Sequence, residues 1–186
     1  MSRLTKTCMQ TYSGKFFDYK DFSDYEYPIE EIASALSNIC RFNGHLKYFY
    51  SVAQHSVIVS NIVPPKLALE ALLHDAAEAY VGDTITPLKN AGPGFKALEA
   101  QIDDKIRAQF GLPIDMSRKV HDADMVAFAT EVRDVLGPAS EENDSLDWLK
   151  RLDIKPTARA IVPMLPDEAK HVFMARYKEI TRSQLT

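Results

Sequence analysis

Leu72-Leu73-His74-Asp75-Ala76-Ala77-Glu78-Ala79-Tyr80 is the stretch on which the reading of this chain turns. Leu69, Leu72, Leu73, Ala76, Ala77 and Tyr80 recur at helical spacing and predict a buried apolar stripe. His74 and Glu78 are four apart, and Asp75 and Glu78 three apart, so a helix would carry all three on one flank. Uncompensated charge beside a core is unfavourable, and a bound cation is the simplest compensation. The segment points to a metal-dependent enzyme built on helices.

On either side, the chain reads as a series of helices. Pro28 opens one that runs to about Arg41, with Ile32, Ala33, Leu36, Ile39 and Cys40 inward. A second is expected from Ser51 to Val63, ended by Pro64-Pro65, and a third over Lys66–Val81, stopped by Gly82. Thr84 to Gly94, rich in Pro and Gly, reads as a loop. Phe95, Leu98, Ile102, Ile106 and Phe110 mark a fourth helix, closed by Gly111 and Pro113. Ser117 reads as the N-cap of a fifth that continues to Val135. A short helix is expected near Leu146–Leu152, within a polar tract at 139–166, and Asp167 opens a last one. Residues 11–27 differ: Tyr12, Phe16, Phe17, Tyr19, Phe22, Tyr25 and Tyr27 alternate with Asp and Lys around Gly14, which suits a hairpin or extended arm.

Composition narrows the function. A chain of 186 residues, 46% apolar and 26% charged, suits one soluble globular domain over 1–186. A formal charge of −4 argues against a dedicated nucleic-acid surface. No run approaches the roughly 18–20 apolar residues of a membrane span, and Met1–Lys6 lacks the apolar stretch of a signal peptide. Cys8 and Cys40 form neither a disulfide framework nor a CxxC zinc motif, so a reduced, cytoplasmic protein is expected.

His55 lies three residues after Val52 and four before Val59; Asp124 lies four after Val120 and four before Phe128. Each is inward-facing. A lone histidine on an apolar face is usually a hydrogen-bonded core residue, and a lone aspartate is usually paired or capping. Together with His74-Asp75, however, they place two imidazoles and two carboxylates on the inward faces of three helices. That mixed N/O set suits one divalent ion of Mn, Fe, Co, Ni, Zn or Mg.

At this point the sequence resembles the HD-domain phosphohydrolase superfamily, through His55, His74-Asp75 and Asp124 in Asp122-Ala123-Asp124-Met125-Val126-Ala127. It is most similar to the small single-domain members, which include bacterial 5′-deoxynucleotidases and phage deoxynucleoside triphosphohydrolases. Ile39-Cys40-Arg41-Phe42, Gln54-His55-Ser56 and Gly82-Asp83-Thr84-Ile85-Thr86-Pro87-Leu88-Lys89 resemble further family elements, so the likeness covers about residues 28–135. Two departures stand out: Gln54 occupies a position held by Glu in those deoxynucleotidases, and the interval from His55 to His74 is shorter. The resemblance implies an all-α bundle of about six or more helices with an N-terminal arm. It also implies metal ligands His55, His74, Asp75 and Asp124, and cleavage of a nucleotide phosphate, deoxynucleotides first.

Roles follow from chemistry. Glu78 is outside the implied ligand set and is the expected general acid or base; its bland reading is a solvated helix residue. Arg41 offers a planar fork to phosphate, Phe42 an apolar wall, and Lys89 a point charge. Asp83 is a candidate for the sugar or an ordered water, or simply a turn cap. His121, three before Asp124, and His45, near Arg41, are further candidates for phosphate and the pocket mouth. Arg41, Lys89 and His121 together tilt the expectation to triphosphates over monophosphates. The rival is a nucleotide-sensing or partner-binding module without catalysis, against which Glu78 speaks because binding alone does not require it. The expected partner is a small nucleotide. A homo-oligomer is compatible with the sequence, and so is a host cytoplasm for a phage-encoded protein.

Overall fold

The computed structural model describes residues 6–136 and 151–183. It is mainly helical, as the periodicity predicts. A hairpin of β1 (Cys8–Gln10) and β2 (Phe16–Asp18) leads into α1 (Ile29–Asn38), α2 (Val52–Ile62), α3 (Ala68–Leu72), α4 (Glu78–Val81), α5 (Thr86–Ala91), α6 (Pro93–Gln109), α7 (Arg118–Glu131) and α8 (Pro166–Ser183). The strands are antiparallel, with Met9 opposite Phe17, and Gly14 takes the left-handed turn position at φ 79°. No helix among the described residues is long and apolar enough to cross a membrane.

Helix α2 is central and packs against α1, α3, α7 and α8. Its Val52, Ala53 and Val59 are fully buried, meeting a core that includes Ile32 and Leu36 of α1, Leu72 of α3, Val120 and Ala127 of α7, and Phe173 of α8. Burial of each large apolar side chain contributes about 1.5–3 kcal/mol, which offsets the desolvation of the charged groups on the same helices.

Polar clamps fix how the helices meet. Ser51 caps α2, its hydroxyl accepting from the Gln54 N–H at 3.2 Å. Ser117 does not cap α7 with its own side chain; its N–H and hydroxyl instead donate to the buried Glu70 carboxylate at 2.6 and 2.7 Å. Arg176 of α8 donates to the Ser60 carbonyl at 2.8 Å, placing a cation in the last turn of α2. Gln54 spans the extended segment before α8, donating to the Val162 carbonyl at 2.7 Å and accepting from the Met164 N–H at 3.0 Å.

Two expectations are corrected. The helix foreseen over 66–81 divides into α3 and α4. The loop foreseen over 84–94 contains α5, because Pro87 falls in the first turn, where its missing N–H removes no helical bond. The fifth helix has the foreseen extent, α7 ending at Glu131 and running on as a π-helix over Val132–Leu136. The short helix expected at Leu146–Leu152 lies almost wholly outside the described residues.

Candidate metal centre

In an unbroken α-helix the Asp75 N–H would donate to the Ala71 carbonyl. Here the His74 imidazole donates its Nδ1–H to that carbonyl at 2.8 Å. The chain then tightens into turns, with Ala76 N–H to Leu73 C=O and Glu78 N–H to Asp75 C=O, each at 3.0 Å. His74-Asp75 therefore occupies the break between α3 and α4. A carbonyl only accepts, so the proton of neutral His74 is on Nδ1 and Nε2 carries a lone pair.

His55 on α2 is fully buried and reaches the same arrangement by another route. Its Nδ1 lies 2.6 Å from Glu131 Oε1 at the end of α7, which again frees Nε2. The two Nε2 atoms face each other at 3.3 Å. Asp124 Oδ1 lies 3.1 Å from His55 Nε2 and 3.9 Å from His74 Nε2, and Asp75 Oδ2 lies 3.6 and 3.2 Å from the same atoms. Donor separations of this size match the edges of a coordination shell with bonds of about 2.1 Å. His55, His74 and Asp124 form the compact triad, with ligand atoms all within 4.8 Å, and Asp75 adds a fourth oxygen. The donor set fits a divalent first-row ion. A proton can occupy the same space: burial and Arg41 push the His55 imidazolium down, but Glu131 and Asp124 outweigh them and lift it to about 9.

Glu131 escaped the sequence reading. It is fully buried and accepts from His55, from the Tyr50 hydroxyl at 2.9 Å and from Arg41 Nη2 at 3.1 Å. Burial pushes its carboxyl up, but the charges of Arg41 and His55 hold it below the usual range. Burial likewise pushes Asp124 up, and the His55 hydrogen bond with the nearby cationic groups brings it far down. The available signal for Glu131 was its spacing: seven residues after Asp124 is two turns along the same face of α7.

Arg41 sits between Glu131 and Asp75, with Nη1 3.6 Å from Asp75 Oδ2 and a buried Nε that has no partner. The bridge between Cys40 and Ser51 pins it beside the start of α2. Adjacent side chains of an extended chain point to opposite sides, yet Arg41 and Phe42 line one cavity. The left-handed backbone of Phe42 (φ 56°), continued through Asn43 and Gly44, permits this. For a phenylalanine that conformation stores about 1–3 kcal/mol of strain.

The cavity has a volume of about 740 Å³. Asp75, Glu78, Asp83, Asp124, Arg41 and Lys89 are its charged lining, and Phe42, Ile85, Met125, Phe128 and Leu136 are among its apolar lining. His55 and His74 are buried and lie outside the lining, beside Asp75 and Asp124, which belong to it. Glu78 is buried with Oε2 unpartnered; burial, Asp75 and Asp83 push its carboxyl well above the usual range. Burial also pushes Asp83 up. Lys89 donates to Glu99 at 2.8 Å; burial pulls its ammonium down, but Glu99, Glu78 and Asp75 raise it overall.

Most of the sequence candidates thus converge. His45 is exposed and belongs to the cavity lining. His121 does not join the site: it is exposed on α7 and absent from the lining. Three residues along a helix turn the side chain about 60° off the Asp124 direction, and Asp124 is itself partly exposed, so the further rotation points to solvent. Gln54, a departure from the deoxynucleotidases, is engaged with Val162 and Met164 and does not line the cavity.

No protein-family model matches the chain. It is 44% identical over 174 residues to YfdR, an uncharacterized protein of Escherichia coli, a match covering 93% of this chain and 95% of that protein. It is also 32% identical over 185 residues to RCAP_rcc00048, an uncharacterized protein of Rhodobacter capsulatus, covering 92% of this chain and 94% of the relative.

Proposed function

We propose that this chain, which belongs to the same family as YfdR and RCAP_rcc00048, is a metal-dependent phosphohydrolase acting on nucleotides. The observation that carries the reading is the pair of imidazole Nε2 atoms 3.3 Å apart with two carboxylates around them. Resemblance to the HD-domain phosphohydrolases supports the reaction class and the preference for deoxynucleotides.

When bound, the ion supplies Lewis acidity toward a phosphate oxygen and lowers the pKa of a water. The chain does the rest. Arg41, held by Glu131, directs its guanidinium at the phosphate. Glu78, kept protonated to unusually high pH, exchanges a proton with the attacking water or the leaving oxygen. Phe42, Met125, Phe128 and Leu136 give the base and sugar an apolar wall and exclude water. With His121 in solvent, Arg41 and Lys89 are the lysine and arginine side chains that line the cavity among the described residues, and each already shares a carboxylate. That balance favours a monophosphate, cleaved to nucleoside and inorganic phosphate, over the triphosphate expected from sequence.

The test is phosphate release from a panel of ribo- and deoxynucleotides, each with Mn, Co, Ni, Mg and Zn, against a His74→Ala/Asp124→Ala control. Turnover is expected in the parent only. Metal-loaded protein inert toward every nucleotide would overturn the reading.

A further inference from the structure

The aromatic stretch at 11–27 takes no part in the proposed chemistry, yet it packs onto the four-residue helix α4, which begins at Glu78. Four residues do not hold a helix in place by themselves. What holds α4 is Tyr80. Its ring lies 4.8 Å from Phe17, 5.2 Å from Tyr27 and 6.0 Å from Tyr25. Its hydroxyl donates to Glu31 Oε1 at 2.7 Å, and its carbonyl accepts from the Tyr19 hydroxyl.

Glu31 is a carboxylate of α1 that is only 2% exposed. Besides Tyr80, it accepts from the Tyr25 hydroxyl on Oε1 and the Ser13 hydroxyl on Oε2, each at 2.7 Å. A buried carboxylate requires such donors, and here they come from the arm on one side and from α4 on the other. We infer that the N-terminal arm is part of the active-site scaffold: Glu31 is a positioning residue that ties the arm to Tyr80 and so sets the place of Glu78, two residues away. The inference rests on the proposed proton-transfer role of Glu78. A shift of about 1 Å in a reacting group can lower a rate by about a hundredfold, so a loosened α4 reads out in turnover.

The experiment uses the full chain with Glu31→Gln and Tyr80→Phe, the second keeping the ring and losing only the hydroxyl. Amide hydrogen exchange is expected to quicken over residues 78–81 while α2 and α7 keep their protection. For whichever nucleotide the parent hydrolyses, kcat should fall about ten- to a hundredfold, with KM and bound metal unchanged. Unchanged exchange at 78–81 in both variants overturns the inference. So does exchange quickened equally throughout the molecule, or activity lost only in proportion to bound metal. Should the parent hydrolyse no nucleotide, the functional reading fails alone and exchange still decides whether the arm positions α4.

Discussion

The Nε2 atoms of His55 and His74 stand 3.3 Å apart, and each ring has its Nδ1–H directed elsewhere, to Glu131 and to the Ala71 carbonyl. Two lone pairs at that distance repel unless a proton or a metal ion lies between them, and the carboxylates of Asp75 and Asp124 beside them complete a donor set for a metal. One divalent ion per chain is expected from elemental analysis after metal loading and desalting. His74→Ala combined with Asp124→Ala should lose it while keeping a helical spectrum. Undiminished metal in the double variant would remove these residues as ligands.

Glu131 fixes which nitrogen of His55 is protonated, so its loss should act on the metal through the imidazole. Removing such a partner typically weakens metal affinity about 10–100-fold. Glu131→Gln, titrated with Co by calorimetry, should fall in that range. Parent-like affinity would show that Glu131 serves packing alone.

Arg41 is the counter-ion of Glu131 as well as the proposed phosphate ligand. Breaking a buried pair by deleting one partner costs about 3–5 kcal/mol, so Arg41→Ala should lower Tm as well as raise KM and reduce kcat. Arg41→Lys keeps the charge without the fork and should recover both in part. Parent-like denaturant midpoint and KM in Arg41→Ala would refute both roles.

These residues also show where sequence runs out. The stripe Leu69, Leu72, Leu73, Ala76 marks a buried element because its period survives a local kink. The kink itself is invisible, since a histidine bonding its own i−3 carbonyl is written like any helical histidine. Asp124 is legible because Val120 and Phe128 frame it. Glu131, in Thr130-Glu131-Val132-Arg133, reads as a charged helix end; its spacing from Asp124 puts it on the same face, but its burial comes from tertiary packing against Tyr50 and His55. His121 failed for the opposite reason: sharing a face within three residues still leaves enough rotation to reach solvent.

Glu31 predicts a pH effect on stability. Burial raises its carboxyl, but hydrogen bonds from Ser13, Thr11, Tyr25 and Tyr80 bring it below the ordinary glutamate value. A depressed folded-state pKa stabilises above the unfolded value, and the contribution disappears as pH falls through the folded one. The parent should thus lose stability on acidification in that window more steeply than Glu31→Gln, by chemical denaturation at stepped pH. Parallel curves would show that Glu31 carries no such linkage.

Glu78→Gln separates proton transfer from every other function of the site. The residue has an unpartnered Oε2 in the cavity that Asp75 and Asp124 also line. Its carboxyl is raised by burial and by Asp75 and Asp83. A raised acid destabilises the folded state once pH exceeds its unfolded pKa, so the neutral amide should match or exceed the parent's Tm at alkaline pH. Glutamine keeps the volume and hydrogen-bonding capacity but cannot move the proton, a step worth about 10²–10⁴-fold in rate. The variant should retain metal and nucleotide affinity while its single-turnover rate drops by about that factor. Lost metal would make Glu78 a ligand, and an unchanged rate would leave the proton transfer to another group.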